Sequence, residues 1–244
     1  MLSLVAAAVV VTIGLSGLVV SDGSAAGDGS PHHARRVRRD PVLLVHGFDG
    51  SSKSWQTMES RLRAAGYRAD QIDAISYDSE ASTVSSARVI ARAVDELQAR
   101  TGAARVDVVS HSLGAIASRY YVEQLGGAAH VDAWVSLAGV NDGTVWAYGC
   151  FLLASCRDMV PGSGVLDTLA RDFRPDGAVR FATWWSPCDP VIVPSGAATI
   201  PGAQNTETAC LGHSDLKTDA TVFGQVARFV GQRHRPVTGL RAAR

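Results

Sequence analysis

The sequence predicts an α/β fold: a mostly parallel central sheet with helices on both faces. Three observations carry this. Short apolar runs rich in branched residues alternate with longer runs of helical spacing. One such pair is joined by a tight turn, Ser110-His111-Ser112-Leu113-Gly114. At 244 residues the chain is long enough for one domain with a sizeable core.

The elements follow in order. Residues 41–45 are a short apolar strand that ends at His46-Gly47-Phe48. Residues 55–65 read as an amphipathic helix stopped at Gly66, and 71–76 as a second strand. Over 83–100, Val84, Ala87, Ile90, Ala91, Val94 and Leu97 recur at helical spacing, and Gly102 ends the run. A strand at 105–109 feeds the Ser110–Gly114 turn, and a helix covers 113–125. A strand at 131–137 comes next, then a long irregular, glycine-rich section at 141–164. A short helix at 165–173, a strand at 179–185 and a last helix at 218–232 complete the pattern.

Residues 2–20 carry no charge and are strongly apolar, and Ser24-Ala25-Ala26 offers small residues for signal-peptidase cleavage. The expected organisation is a secretory signal at 1–26, a basic linker at 27–40 and a catalytic domain at 41–244. A cleaved signal is expected over an uncleaved membrane anchor, so the protein is expected to be extracellular. The 23 basic and 23 acidic residues balance, which gives no pointer to nucleic acid.

The four cysteines, Cys150, Cys156, Cys188 and Cys210, suggest two disulfides in an exported chain. Of three possible pairings, proximity favours Cys150–Cys156 and leaves Cys188–Cys210. Their spacing lacks a paired zinc pattern, and no metal or other cofactor is expected.

The chemistry centres on Ser112. A strand, a sharp turn and a helix hold a serine exposed, with the helix N-terminus behind it. The motif departs from Gly-x-Ser-x-Gly in that Ser110 replaces the first glycine. A serine hydroxyl needs a base, and the base needs a group to orient it. In one chain order of such triads the acid follows the serine and the histidine comes last. Downstream histidines are His130, His213 and His234. His130 sits at the wrong end of a strand and His234 in a basic tail, whereas His213 lies in a loop entering the last helix. Among the intervening aspartates, Asp189 follows a clear apolar strand through a short turn. A Cys188–Cys210 bond would tie the Asp189 loop to the His213 loop. The oxyanion needs fixed donors; the expected pair is the backbone N–H groups of Phe48 and Leu113.

With these pieces in place, the chain resembles the class 2 triacylglycerol lipases, bacterial enzymes of the α/β-hydrolase fold, from about residue 41 to the last helix. The resemblance rests on Val42-Leu43-Leu44-Val45-His46-Gly47-Phe48, Val106-Asp107-Val108-Val109-Ser110-His111-Ser112-Leu113-Gly114, Leu137-Ala138-Gly139-Val140-Asn141, Ser186-Pro187-Cys188-Asp189-Pro190-Val191 and Leu211-Gly212-His213. It implies a near-minimal fold of that type, with Ser112 as nucleophile, Asp189 as acid, His213 as base and an oxyanion hole of the Phe48 and Leu113 amides. The departures are Ser110 and the longer, disulfide-stapled loop region at 141–164.

The expected activity is hydrolysis of carboxylic esters, of lipids in particular, through an acyl-enzyme. Phe48, Leu113, Trp146 and Phe151 are the candidate pocket residues. The 144–153 stretch reads either as a partial cover or acyl-binding wall, or as a packed, stapled loop. The expected partners are a lipid or small ester and, transiently, a lipid interface, with the protein a monomer. The alternatives are a short-chain carboxylesterase, thioesterase or acyltransferase with the same triad, or a non-catalytic binding protein on a hydrolase fold.

Overall fold

The inner strands of the sheet divide their side chains between two helical layers. In the computed structural model, which describes residues 39–175 and 177–232, Val42 and Leu44 of β1 (Val42–Val45) join one core cluster, while Leu43 and Val45 join another. This is the two-residue period of an extended chain. The expected signal segment, 1–26, and nearly all of the linker lie outside the described residues.

The remaining strands are β2 (Ile72–Ile75), β3 (Val106–His111), β4 (Val131–Leu137), β5 (Arg180–Trp185) and β6 (Gln204–Glu207). Their order across the sheet is β2-β1-β3-β4-β5-β6, and every neighbouring pair is parallel. β1, β3 and β4 are buried along their whole length. They lack the polar alternation of half-exposed strands because helices cover both faces.

One face receives α1 (Gln56–Ala64) and α6 (Ala220–Val230), through Met58, Leu62, Val222, Val226 and Phe229. The other receives α2 (Thr83–Thr101) and α3 (Leu113–Gln124), through Ile90, Val94, Leu97, Ala117 and Tyr121. Ser82 caps α2 by accepting from the Ser85 amide, and Gly102 ends it in the left-handed region at φ 64°. Asp219 caps α6 by accepting from the amides of Thr221 and Val222. α6 therefore starts two residues after the expected point, behind a 3-10 turn at Asp215–Lys217.

A third core cluster lies beside the start of α3. Leu113 and Ile116 pack there against Met159, Leu166, Leu169 and Ile192. The section expected to be irregular contains a 3-10 run, Val145–Cys150, and a short helix, α4 (Ala154–Met159). α5 (Gly164–Asp172) follows and is tied to α3 where Arg119 Nη2 donates to the Leu169 carbonyl. Disulfides join Cys150 to Cys156 and Cys188 to Cys210, the pairing that proximity favours.

Two differences from the sequence reading concern strands. β3 runs on through Ser110 and His111, so the turn is sharper than expected. β6 has no counterpart in the sequence reading, because its Gln-Asn-Thr-Glu run is polar and mostly exposed. Among the described residues, no helix is long and apolar enough to cross a membrane.

Candidate active site

The chain reverses from β3 into α3 at a single residue, Ser112, with φ 55° and ψ −127°. A non-glycine residue in this region stores strain of about 1–3 kcal/mol. Three backbone hydrogen bonds hold it there. The Ser112 amide donates to the Leu137 carbonyl at 3.1 Å, and the Ser112 carbonyl accepts from Ala115 and Val140. The turn needs two glycines. A Cβ on Gly114 would press into the carbonyl of His46, and one on Gly47 would stand 2.7 Å from Ser112 Cβ. Ser110 is fully buried, and its hydroxyl donates to the Val135 carbonyl at 2.7 Å. A hydroxyl is tolerated at this crowded position because β4 offers it an acceptor.

Asp189 and His213 lie on separate loops after β5 and β6. His213 Nδ1 donates to Asp189 Oδ2 at 2.8 Å. The other carboxylate oxygen accepts from the amides of Val191 and Ile192, at 2.8 and 3.1 Å. The Asp189 side chain is only 2% exposed, so its charge rests on these three donors. With the proton on Nδ1, Nε2 of the neutral ring is a free acceptor. The Cys188–Cys210 bond joins the two loops, and Ser186 joins them again. Its hydroxyl accepts from the amides of Cys188 and Leu211 and donates to the Ala209 carbonyl. The sequence reading gave Ser186 no role, and only its place beside Pro187-Cys188-Asp189 hinted at one.

Ser112 and His213 line one cavity of about 300 Å³. Phe48, Val140, Trp146, Met159 and Val191 form its apolar walls, with Asp49 and Thr144 between them. Phe48 and Trp146 meet edge to face, with centroids 5.9 Å apart. The amides of Phe48 and Leu113 donate to no acceptor among the described residues.

Two expected pocket residues lie elsewhere. The Leu113 side chain is buried in the third core cluster, because the first turn of α3 faces inward. Phe151 is half exposed and lines no part of the cavity, because it follows the 3-10 run inside the small loop closed by Cys150–Cys156. It belongs instead to an exposed apolar surface with Val145, Trp146, Tyr148 and Leu152, the last of these 93% exposed. That surface is fastened to the Asp189 loop where the Val145 amide donates to the Val193 carbonyl at 3.0 Å. Thr144 Oγ1 adds a bond to the Val191 carbonyl.

Two further histidines stand behind the serine. His46 Nδ1 donates to the Gly47 carbonyl at 2.7 Å, and Nε2 accepts from the Tyr77 amide. The Tyr77 hydroxyl donates to the His46 carbonyl, and the two rings stack at 4.3 Å. His111 is fully enclosed, and its Nε2 donates to the His213 carbonyl at 3.0 Å. Burial pushes the pKa of both rings down. For His111, charge on Lys217, or on His213 when it is protonated, pushes it further, while the bond to the His213 carbonyl acts in the opposite sense. The bond from the Tyr77 amide requires His46 Nε2 to be unprotonated, so that ring is neutral, and burial disfavours the charged form of His111.

The metal-ligand geometry among the described residues lies at the other end of the sheet. There Asp40, Asp107 and Asp132 bring carboxylate oxygens within 4.8 Å of one another. Arg180 Nη2 already occupies Asp132 Oδ2 at 2.7 Å. Burial, then repulsion from Asp40 and Asp132, raises the Asp107 pKa well above the usual carboxylate value.

A family model described as lipase (class 2) matches residues 39–222. A triacylglycerol lipase of Burkholderia plantarii is 29% identical over 121 residues, which are 47% of this chain and 33% of that protein. The match thus spans about a third of that relative's length. Among solved structures, the mature form of the Bacillus licheniformis lipase BlEst2 superimposes with a TM-score of 0.68 at 16% identity, over 79% of this chain and 92% of that one. Aspergillus fumigatus lipase B gives 0.65 at 15% identity, over 80% and 53%. At such identities the likeness speaks for the fold.

Proposed function

The chain belongs to the class 2 lipase family, and from that premise we propose that it is a secreted serine hydrolase that cleaves carboxylic esters, of lipids in particular. The observation that carries the reading is the hydrogen-bonded pair of His213 and Asp189 beside a cavity that Ser112 also lines, with Ser112 held at positive φ.

In this mechanism His213 Nε2 takes the proton of Ser112 Oγ as the oxygen attacks the ester carbonyl. The charge that develops on the carbonyl oxygen is received by the Phe48 and Leu113 amides, whose lack of acceptors among the described residues suits them to it. His213 then gives its proton to the leaving alcohol. A water molecule, deprotonated by the same ring, attacks the acyl-enzyme and releases the acid. Asp189 keeps the ring in the tautomer with Nδ1 protonated and stabilises the imidazolium.

The apolar walls favour the acyl chain of a lipid over a polar ester. The exposed Val145, Trp146, Tyr148, Phe151 and Leu152 suit transient contact with a lipid surface, beside which the site would open. The same triad would serve a short-chain carboxylesterase. In the proposed organisation residues 1–26 direct export, 27–40 form a linker and a monomeric catalytic domain follows from 41; the two disulfides suit an oxidising compartment.

The test is turnover of a p-nitrophenyl ester series and labelling by a fluorophosphonate. We expect the wild type to turn over the esters and to be labelled at Ser112, and Ser112→Ala to do neither. Full activity in Ser112→Ala would sink the assignment. A preference for acetate, with no gain on emulsified substrate, would favour the short-chain esterase.

A further inference from the structure

We propose that His111 is a positioning residue for the reaction: its buried ring is a strut that sets where the His213 imidazole stands relative to Ser112. The inference rests on the function proposed above and assigns a task to a residue that function does not use.

The geometry points this way from three sides. First, the acceptor is the main-chain carbonyl of His213 itself, 3.0 Å from His111 Nε2. The side-chain bond to Asp189 fixes the direction of the His213 ring about its own axis. It does not fix where the backbone holds the ring. The other ties of this loop are made by neighbours: the Leu211 amide to Ser186, the Gly212 amide to Asp215 Oδ2 and the Asp215 amide to the Gly212 carbonyl. The bond from His111 acts on the histidine's own peptide.

Second, the strut is rooted in the serine turn. His111 is the last residue of β3 and the immediate neighbour of Ser112, so the serine and the donor share one rigid strand end. A Cβ on Gly47 would lie 3.2 Å from His111 Nδ1 and 2.7 Å from Ser112 Cβ. The ring is therefore wedged between the loop of the expected oxyanion donor and the loop of the expected base. Its centroid lies 4.6 Å from that of His213, at an angle of 51°.

Third, the chemistry admits only one state of the ring. A carbonyl cannot donate, so Nε2 must carry the hydrogen. A second proton would place a cation 4.6 Å from a ring that must itself become cationic when it takes the serine proton. Burial, foremost, and charge on His213, Lys217 and His46 oppose that second proton and outweigh the pull of the His213 carbonyl. A neutral donor of fixed length thus holds the base without competing for its proton. Displacement of a base by about 1 Å lowers a rate by up to about a hundredfold.

The test separates reach from polarity. The amide of His111→Gln reaches the place of Nε2, whereas that of His111→Asn ends near the place of Nδ1. We expect His111→Asn to lower kcat on p-nitrophenyl butyrate about tenfold, with KM within twofold of the wild type. His111→Gln should recover most of the loss at the same melting temperature as the Asn variant. The downfield proton resonance of the His213–Asp189 bond should shift or broaden in the Asn variant and persist in the Gln variant. Equal kcat in the two variants, or a loss that follows melting temperature alone, overturns the inference. A wild type that neither turns over esters nor is labelled at Ser112 overturns the proposed function, and the inference with it. An active wild type with an unimpaired Asn variant overturns the inference alone.

Discussion

Asp189 and His213 are 24 residues apart in the chain and meet through one 2.8 Å hydrogen bond. The carboxylate spends one oxygen on the imidazole and the other on two backbone amides, so the ring finds it already fixed. This arrangement predicts that Asp189→Asn leaves the fold intact, because a carboxamide oxygen can still accept from Val191 and Ile192. The NH₂ group then faces Nδ1 and turns the ring to the tautomer with no free base. We expect kcat to fall by a factor of about 10⁴ at nearly constant KM, measured as steady-state ester hydrolysis. A loss under tenfold would remove Asp189 from the mechanism.

The Cys188–Cys210 bond closes a loop over a sequence separation of 22. We predict that replacing both cysteines by serine lowers stability by about 3 kcal/mol, read as a drop in melting temperature. Because the bond lies one residue from Asp189 and three from His213, kcat should fall as well, well below the melting transition. A fall in melting temperature with unchanged kcat would leave the bond a staple only.

Trp146 stands at the boundary between the cavity and the exposed apolar surface. Each methylene buried there is worth about 0.8 kcal/mol. Trp146→Ala should therefore lower kcat/KM for a decanoate ester about tenfold while a butyrate ester stays within about twofold. The chain-length series on the purified variant reads this directly. Equal losses at both lengths would place the acyl chain elsewhere.

Asp107 is fully buried, and its pKa is raised by burial and by Asp40 and Asp132. The folded state thus binds this proton more tightly than the unfolded chain. Its contribution to stability is then complete below the ordinary carboxylate value of 3.8 and is lost as pH rises from there to the raised value. Asp107→Asn removes the ionisation. It should melt higher than the wild type at pH 8, by a margin that shrinks towards pH 4. A margin that grows on acidification would contradict the sign of the shift.

Where the residues are apolar and the period is regular, the sequence made the fold legible. β1, β3 and β4 announce themselves because both their faces are covered, and α2 because its buried stripe runs without a break between Ser82 and Gly102. β6 stayed hidden because it is held by its backbone ladder to β5 and not by its side chains. At the site, Asp189 was readable from strand-then-loop order after β5, and His213 from its loop entering the last helix, although the strand before that loop, β6, was not. The partners of the site were not. Apart from the local bond to the Cys188 amide, Ser186 and His111 bond to backbone groups 23 to 102 residues away, and no local spacing records them. Phe151 was misplaced for the same reason: an aromatic residue in a loop carries no sign of which way the loop faces.

The two outermost strands bear on how copies of this chain behave in a crowded solution. Among the described residues, β2 and β6 are the edge strands, each with a row of amides and carbonyls to which no further strand is paired. Both strands are only four residues long, and each contains an acid, Asp73 in β2 and Glu207 in β6. Two copies meeting along β6 would bring their Glu207 side chains together over a ladder of only four residues, while on β2 Asp73 is paired with Arg100. The polar run that concealed β6 in the sequence thus ends the sheet on a short, charged edge that offers little to another strand.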